Sequence, residues 1–348
     1  MKILIQKFSR NKGFKKVKFH ERKIPKKINI NININIKPIV YIFILLMLIY
    51  LIIIILKSTK IFHNNKNLNY YFCVTAAGKM ENRYARELVS YYLNIGAEKF
   101  VFYDNNNPNT EKLADVLGDY INNGIVDIIE VFGNSSNQAT FNKDMYDKYN
   151  KSCEWIAFFD FDEYLVLKYK GKENLKVKEF FSLPIFKECE AIEFNWLMYN
   201  DNGLVYDDKR TSVERFTNPV YSHKANRFIK SVVRGNLSKP AFLPEESDHH
   251  PQSGVSTCDS EGKKDEEYIG RDDIIPPKFD NGYLMHFNTR TADEYANKIL
   301  RGEIKNVPFD YDDRLRLFFE LNDFTPEKLA VFEKKLKREF PEYHSGKK

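Results

Sequence analysis

Cysteine and histidine are scarce in this chain, with four and seven among 348 residues. Cys73, Cys153, Cys189 and Cys258 never form a Cys-x-x-Cys pair, which argues against a structural zinc site. Spacing does not fix their state. Disulfides are open to them, and so are buried free thiols for Cys73, Cys153 and Cys189, which lie in or beside apolar stretches. No internal repeat recurs, so nothing suggests a solenoid. Acids are almost missing at the start, where residues 1–38 carry twelve Lys or Arg against Glu21 alone. Subtracting that +11 from the overall +6 leaves −5 for residues 39–348, so no basic footprint for nucleic acid remains.

What the start does contain is Ile39 to Leu56, 18 consecutive apolar residues, enough to cross a bilayer. It is too long for a signal-peptide core and is followed by no small-residue cleavage site. Flanking positive charge stays cytosolic, so the pattern predicts a basic cytosolic tail over 1–38 and a signal-anchor helix over 39–56. A polar stalk over 57–68 and a globular domain over 69–340 then lie across the membrane, giving a single-pass type II protein with the lipid bilayer as partner. The tail serves as a topology determinant and is also able to touch anionic lipid heads. The Ile-Asn alternation from Asn29 to Ile36 reads as compositional bias. Asn134, Asn150 and Asn236 begin Asn-x-Ser sequons, near chance frequency in so Asn-rich a chain.

From Tyr70 onward short apolar runs alternate with helical patterns. Strands are expected at Tyr70–Thr75, Lys99–Tyr103, Ile125–Phe132 and Trp155–Phe161. Helices are expected at Asn82–Leu93, Thr110–Tyr120 and Asn137–Tyr149. This predicts an α/β fold, a mostly parallel central sheet with helices on both faces. Further strands are expected at Ala191–Leu197, Arg227–Arg234 and Tyr283–Phe287, with helices at Ala292–Arg301 and Pro326–Arg338. Pro240 to Lys278 reads as a long mobile loop.

Ligands of such sheets bind beyond the carboxyl ends of the strands. There the buried run Trp155-Ile-Ala-Phe-Phe159 ends in Asp160 and Asp162. Two carboxylates at a buried strand end are costly unless a cation sits with them, and a divalent ion carrying a diphosphate is one solution.

A series of motifs from Lys79 to Gly302 resembles glycosyltransferase family 92 and its near relatives in the nucleotide-sugar-dependent GT-A fold. The series comprises Lys79-Met-Glu-Asn-Arg-Tyr84 with Glu87, Gly96 through Asn105, and Trp155 through Leu165. It continues with Gly203-Leu-Val, Glu214-Arg-Phe216, His286-Phe-Asn-Thr-Arg-Thr291, Lys298 and Arg301-Gly302. Met80, Leu88 and Tyr92 depart from the family's usual Asn, Trp and His. The resemblance implies a type II membrane enzyme of the secretory pathway, in the Golgi or endoplasmic reticulum lumen if eukaryotic.

The expected reaction is metal-dependent, inverting transfer of a hexose from a nucleotide-sugar donor to a glycan or glycoprotein acceptor. Mn²⁺ or Mg²⁺ suits the oxygen-rich ligands. Asp162 is expected to bind the metal directly, and Asp160 to hold the ribose or a metal-bound water. Glu163 reads as a supporting acceptor or a solvated strand end. By resemblance His286 completes the metal shell; a core histidine is the alternative. Asp104 is placed for the base or ribose, or for an Asx-turn into Asn105–Pro108. Ala76, Ala77 and Glu81 lie where a nucleotide approaches the backbone. Lys224, Lys230 and Arg234 offer cations to the diphosphate or form a solvated face. Asp201 is favoured as base and Glu214 is the second candidate, although turn chemistry explains Asp201 equally well. Trp196 offers a face for a sugar ring or fills the core. His249 and His250 belong to a solvated loop or touch the acceptor. Two other functions compete: an inactive carbohydrate-binding protein of the same fold, and a hydrolase, which would need an acid and nucleophile facing one bond.

Overall fold

The computed structural model describes residues 46–50, 68–131, 138–243, 249–264, 273–302 and 311–336. Two compact units divide the chain, Met1–Asn64 and Asn65–Lys348. In the first, residues 46–50 form exposed helix. Among the described residues no helix is long and apolar enough to cross a membrane. The expected tail, most of the 39–56 span, nearly all of the 57–68 stalk and Asn134 lie outside them.

In the second unit strand and helix alternate as anticipated. The order is β1 (Tyr70–Gly78), α1 (Asn82–Ile95), β2 (Lys99–Asp104), α2 (Leu113–Asn122), β3 (Val126–Glu130), α3 (Gln138–Tyr149) and β4 (Cys153–Phe158). Every residue of β2 is buried, as a strand between two helix layers requires. Helix α1 buries Tyr84, Ala85, Leu88, Val89 and Tyr92, and stops at Gly96, whose φ of 103° glycine adopts without strain. Helix α2 starts later than its sequence suggested. The Thr110 hydroxyl donates to Asn107 O inside the preceding turn, and Lys112 takes the capping position, its N–H bonded to Asp115.

Beyond β4 come β5 (Glu163–Leu167), α4 (Val177–Phe181), β6 (Ala191–Met198), α5 (Ser212–Arg215), β7 (Ile229–Arg234), β8 (Thr257–Asp259) and β9 (Gly282–His286). Helices α6 (Ala292–Arg301), α7 (Tyr311–Leu321) and α8 (Pro326–Leu336) follow. The strands lie in the order β3-β2-β1-β4-β7-β6-β9-β5, with β8 on β6. The expected parallel pairing holds from β3 to β4, but β7 runs antiparallel to β4 and β6, and β5 antiparallel to β9. The sheet is therefore mixed. Parallel pairing returns where β6 meets β8 and β9.

Helices cover both faces. Phe100, Phe102, Trp155, Leu88 and Phe181 fill one side, and Val101, Phe141, Met145, Ile156 and Phe158 the other. Helices α6, α7 and α8 share a third cluster around Tyr295, Ile299, Phe318 and Phe332. All four cysteines are paired. Cys73–Cys153 ties β1 to β4, and Cys189–Cys258 fastens the approach to β6 onto β8. That second bridge, the β8–β6 pairing and a buried His250–Glu193 contact pin the described part of the 240–278 stretch, which the sequence marked as mobile.

Candidate active site

The turn between β4 and β5 builds the site. Phe159 and Phe161 are both buried, so the alternating Asp160 and Asp162 are presented together beyond the sheet. Phe161 lies against Gly78 at the end of β1, where a Cβ would sit 2.7 Å from its ring. Only glycine fits that approach. Glu163 closes the turn, its Oε2 accepting from Asp160 N at 3.0 Å. The Tyr92 hydroxyl donates to Glu163 O at 3.0 Å and accepts from Leu165 N at 3.0 Å, bracing the same corner from α1.

A cavity of ≈ 360 Å³ opens here. Among its walls are Ala77, Gly78, Lys79, Glu81, Gln138, Asp160, Asp162, Trp196, His249 and His286, with Asn288, Lys298, Arg301 and Arg314. Each acid in it meets a cation. Asp160 Oδ2 lies 2.9 Å from Lys230 Nζ, and its Oδ1 accepts from Gln138 at 2.9 Å. Asp162 Oδ2 accepts from Lys298 at 2.8 Å, with His286 Nε2 3.5 Å from Oδ1. Glu81 pairs with Arg290 at 3.1 Å and Arg301 at 2.5 Å. Burial by itself would raise the Asp162 carboxyl, but Lys298, His286 and Arg290 hold it well below the usual carboxylate range. Glu163 goes the other way. Fully enclosed beside Asp160 and Asp162, its carboxyl is raised well above the usual value, with Lys230 opposing. Burial works against the Lys230 ammonium, yet Asp160 and Glu163 push it up to about 12.

His286 is placed by strand pairing, opposite Glu163 on β5 and Met198 on β6. Trp196 stands beside it, ring centroids 4.3 Å apart, and 5.4 Å from His249. Trp196 thus lines the cavity rather than the core alone, and His249 joins it while His250 turns into the interior against Glu193.

Of the residues selected from sequence, the cavity gathers Ala77, Glu81, Asp160, Asp162 and His286. Others lie outside its walls. Asp201 is 2 % exposed and paired with the buried Lys328 at 2.6 Å, while its Oδ1 accepts from Gly203 N, so it stabilises a turn. Burial raises its carboxyl despite Lys328. Glu214 accepts from Thr211 N and Oγ1 as the capping box of α5, and those bonds lower its carboxyl. Asp104 spends both oxygens on backbone, Asn106 N at 2.9 Å and Leu113 N at 2.7 Å, joining an Asx-turn to the start of α2. Lys224 is exposed and pairs with Glu320 at 3.1 Å, and Ala76 is buried in β1. Arg234 stacks over Trp155 at 4.1 Å, leaving Lys230 as the member of its trio that reaches the aspartates.

Sequence alone assigns no role to Gln138, Arg290, Lys298 and Arg301, which the fold brings to or behind the cavity. Spacing carried one signal: Tyr295, Lys298, Ile299 and Gly302 follow one helical face onto the cavity.

Residues 68–239 match the model of Glycosyltransferase family 92. The chain carries a glycosyltransferase family 92 domain. No curated protein matches the chain. Among solved structures it resembles Staphylococcus aureus TarS at 13% identity and TM-score 0.36, covering 78% of this chain and 46% of that one. A shorter TarS in complex with UDP-GlcNAc aligns at 14% identity and TM-score 0.35, covering 78% and 73%. An active-site mutant of LgtC aligns at 10% identity and TM-score 0.25, covering 75% and 99%. The chain thus spans about half of the full TarS structure, and likenesses this distant carry no function across.

The donor set of this cavity suits a divalent ion. Asp162 and Asp160 offer oxygens, and the imidazole of His286 beside them has a buried Nδ1 without a hydrogen-bond partner. Among the described residues no three His, Cys, Asp or Glu converge into a cage. Magnesium-like ions need none where one or two carboxylates act with substrate phosphates.

Proposed function

We propose that the chain is a membrane-anchored glycosyltransferase moving a hexose from a nucleotide-diphosphate sugar to a glycan hydroxyl, with a divalent ion and inversion at the sugar carbon. The observation that carries this reading is the convergence of Asp160, Asp162, His286, Lys298 and Arg301 on one cavity past β4. Asp162, Asp160 and His286 would hold Mn²⁺ or Mg²⁺, which supplies Lewis-acid stabilisation to the departing diphosphate. Lys79, Lys298 and Arg301 bring cations to the same walls. Trp196 offers its ring to the acceptor sugar. With Asp201 and Glu214 away from the cavity, we assign the acceptor's proton to His249 beside Trp196, since an imidazole accepts a proton near neutral pH.

The apolar run 39–56 behind a basic tail supports the anchor. Two disulfides suit an oxidising lumen such as that of the Golgi or endoplasmic reticulum.

A screen of nucleotide sugars for released nucleotide, with and without glycan acceptors, tests the proposal. Acceptor-dependent release that Asp162→Asn abolishes is the expected result. Equal release into water alone would mark a hydrolase, and sugar binding without any release a carbohydrate-binding protein.

A further inference from the structure

Two neighbouring aspartates meet two lysines in very different settings. Lys230 rises from β7, a strand enclosed between β4 and β6, and its side chain is 0% exposed. Its ammonium cannot leave Asp160 without stranding a charge in the interior, which burial strongly disfavours. Lys298 reaches Asp162 from α6, lines the cavity and keeps 25% of its side chain exposed. It also donates to Asn288 O at 3.0 Å and Asn288 Oδ1 at 3.1 Å, a second set of acceptors on the cavity wall. Behind Asp162 the buried Arg290, fixed by Glu81 and Phe161 O, remains in place whatever Lys298 does.

We infer that Lys298 is an exchangeable counter-ion, holding Asp162 until donor and divalent ion arrive and then passing to the diphosphate. The inference rests on the transferase reading above and deepens it. Lys298 is a positioning residue with a double effect. Without nucleotide it competes with the ion for Asp162, and with nucleotide it joins the ion in holding the phosphates. Asp160, locked by Lys230, undergoes no such exchange. The site thereby disfavours the metal alone and favours metal and donor together.

Titration calorimetry on the full chain tests this with Lys298→Met and Lys298→Arg. With Mn²⁺ alone, Lys298→Met is expected to bind about fivefold tighter than wild type, the size of a partly exposed ion pair. With Mn²⁺ saturating, UDP or GDP is expected to bind about tenfold more weakly to Lys298→Met, for loss of a charge-assisted bond. Lys298→Arg keeps both affinities near wild type and shows that charge, not packing, is responsible. Unchanged or weaker Mn²⁺ binding by Lys298→Met overturns the exchange, as does unchanged nucleotide affinity. If neither nucleotide binds wild type, the transferase reading fails by itself, and the Mn²⁺ series still decides whether Lys298 occupies the metal's place.

Discussion

Replacing Lys230 by Met removes one charge from the interior while keeping most of the side chain's volume. The ammonium is fully enclosed, lies 2.9 Å from Asp160 and has Glu163 on its other side. Breaking a buried pair by deleting one partner costs about 3–5 kcal/mol. Because the Asp160 side chain is 32% exposed, water recovers part of its solvation, which places the loss near the lower end, about 3 kcal/mol. For a domain of this size about 2 °C follows each kilocalorie, so the midpoint should fall by about 6 °C. Circular-dichroism melts of the full chain in EDTA measure it. Lys298→Met is the internal comparison, a quarter-exposed pair expected to cost about 1 kcal/mol or less. Adding Asp160→Asn to Lys230→Met should recover part of the loss, because the carboxylate left uncompensated is then neutral. A midpoint within 1 °C of wild type, or strictly additive substitutions, would refute the picture of a locked pair.

Other tests bear on the remaining carboxyls. Asp201→Asn should retain turnover at temperatures where it is folded yet lose about 3–5 kcal/mol of stability by stranding Lys328. Loss of turnover in a folded protein would restore Asp201 as the base. Glu163 has a raised pKa in the fold, so the native state keeps a proton that the unfolded chain releases above about pH 4.3. Its contribution therefore declines as pH rises from that value, and Glu163→Gln should gain on wild type in melts at pH 7.5 compared with pH 4.5. A relative loss at pH 7.5 contradicts the assignment. His249→Gln should lower turnover and leave donor binding unchanged by calorimetry. Full activity in that variant would exclude the imidazole as proton acceptor.

Much of this fold was legible in sequence because it rests on local pattern. The alternation through β4 and the carboxylates at its end both follow from apolar periodicity broken by charge. Strand β5 was hidden since Tyr164-Leu-Val-Leu167 follows Asp162 with no Gly or Pro to announce a new strand. Asp201 and Glu214 show the limit at the site itself. An acid in an Asn-Gly turn or three residues into a helix looks the same whether it serves the backbone or a substrate. Only its partners decide, and Lys328 lies far along the chain. The same distance hid Lys298 on Asp162 and Arg290 on Glu81, contacts made by α6 and by the segment that leads into it.

The pairing of β9 has a consequence for how the protein can change. Its imidazole is aimed by main-chain register, so conservative exchanges along the strand should be tolerated while one inserted or deleted residue in the lead-in from 276 to 281 should not. Such a slip turns each side chain to the other face and delivers Met285, on insertion, or Phe287, on deletion, to the place of His286. Length variation in that lead-in is therefore expected in even steps, or offset by a bulge that resets the count.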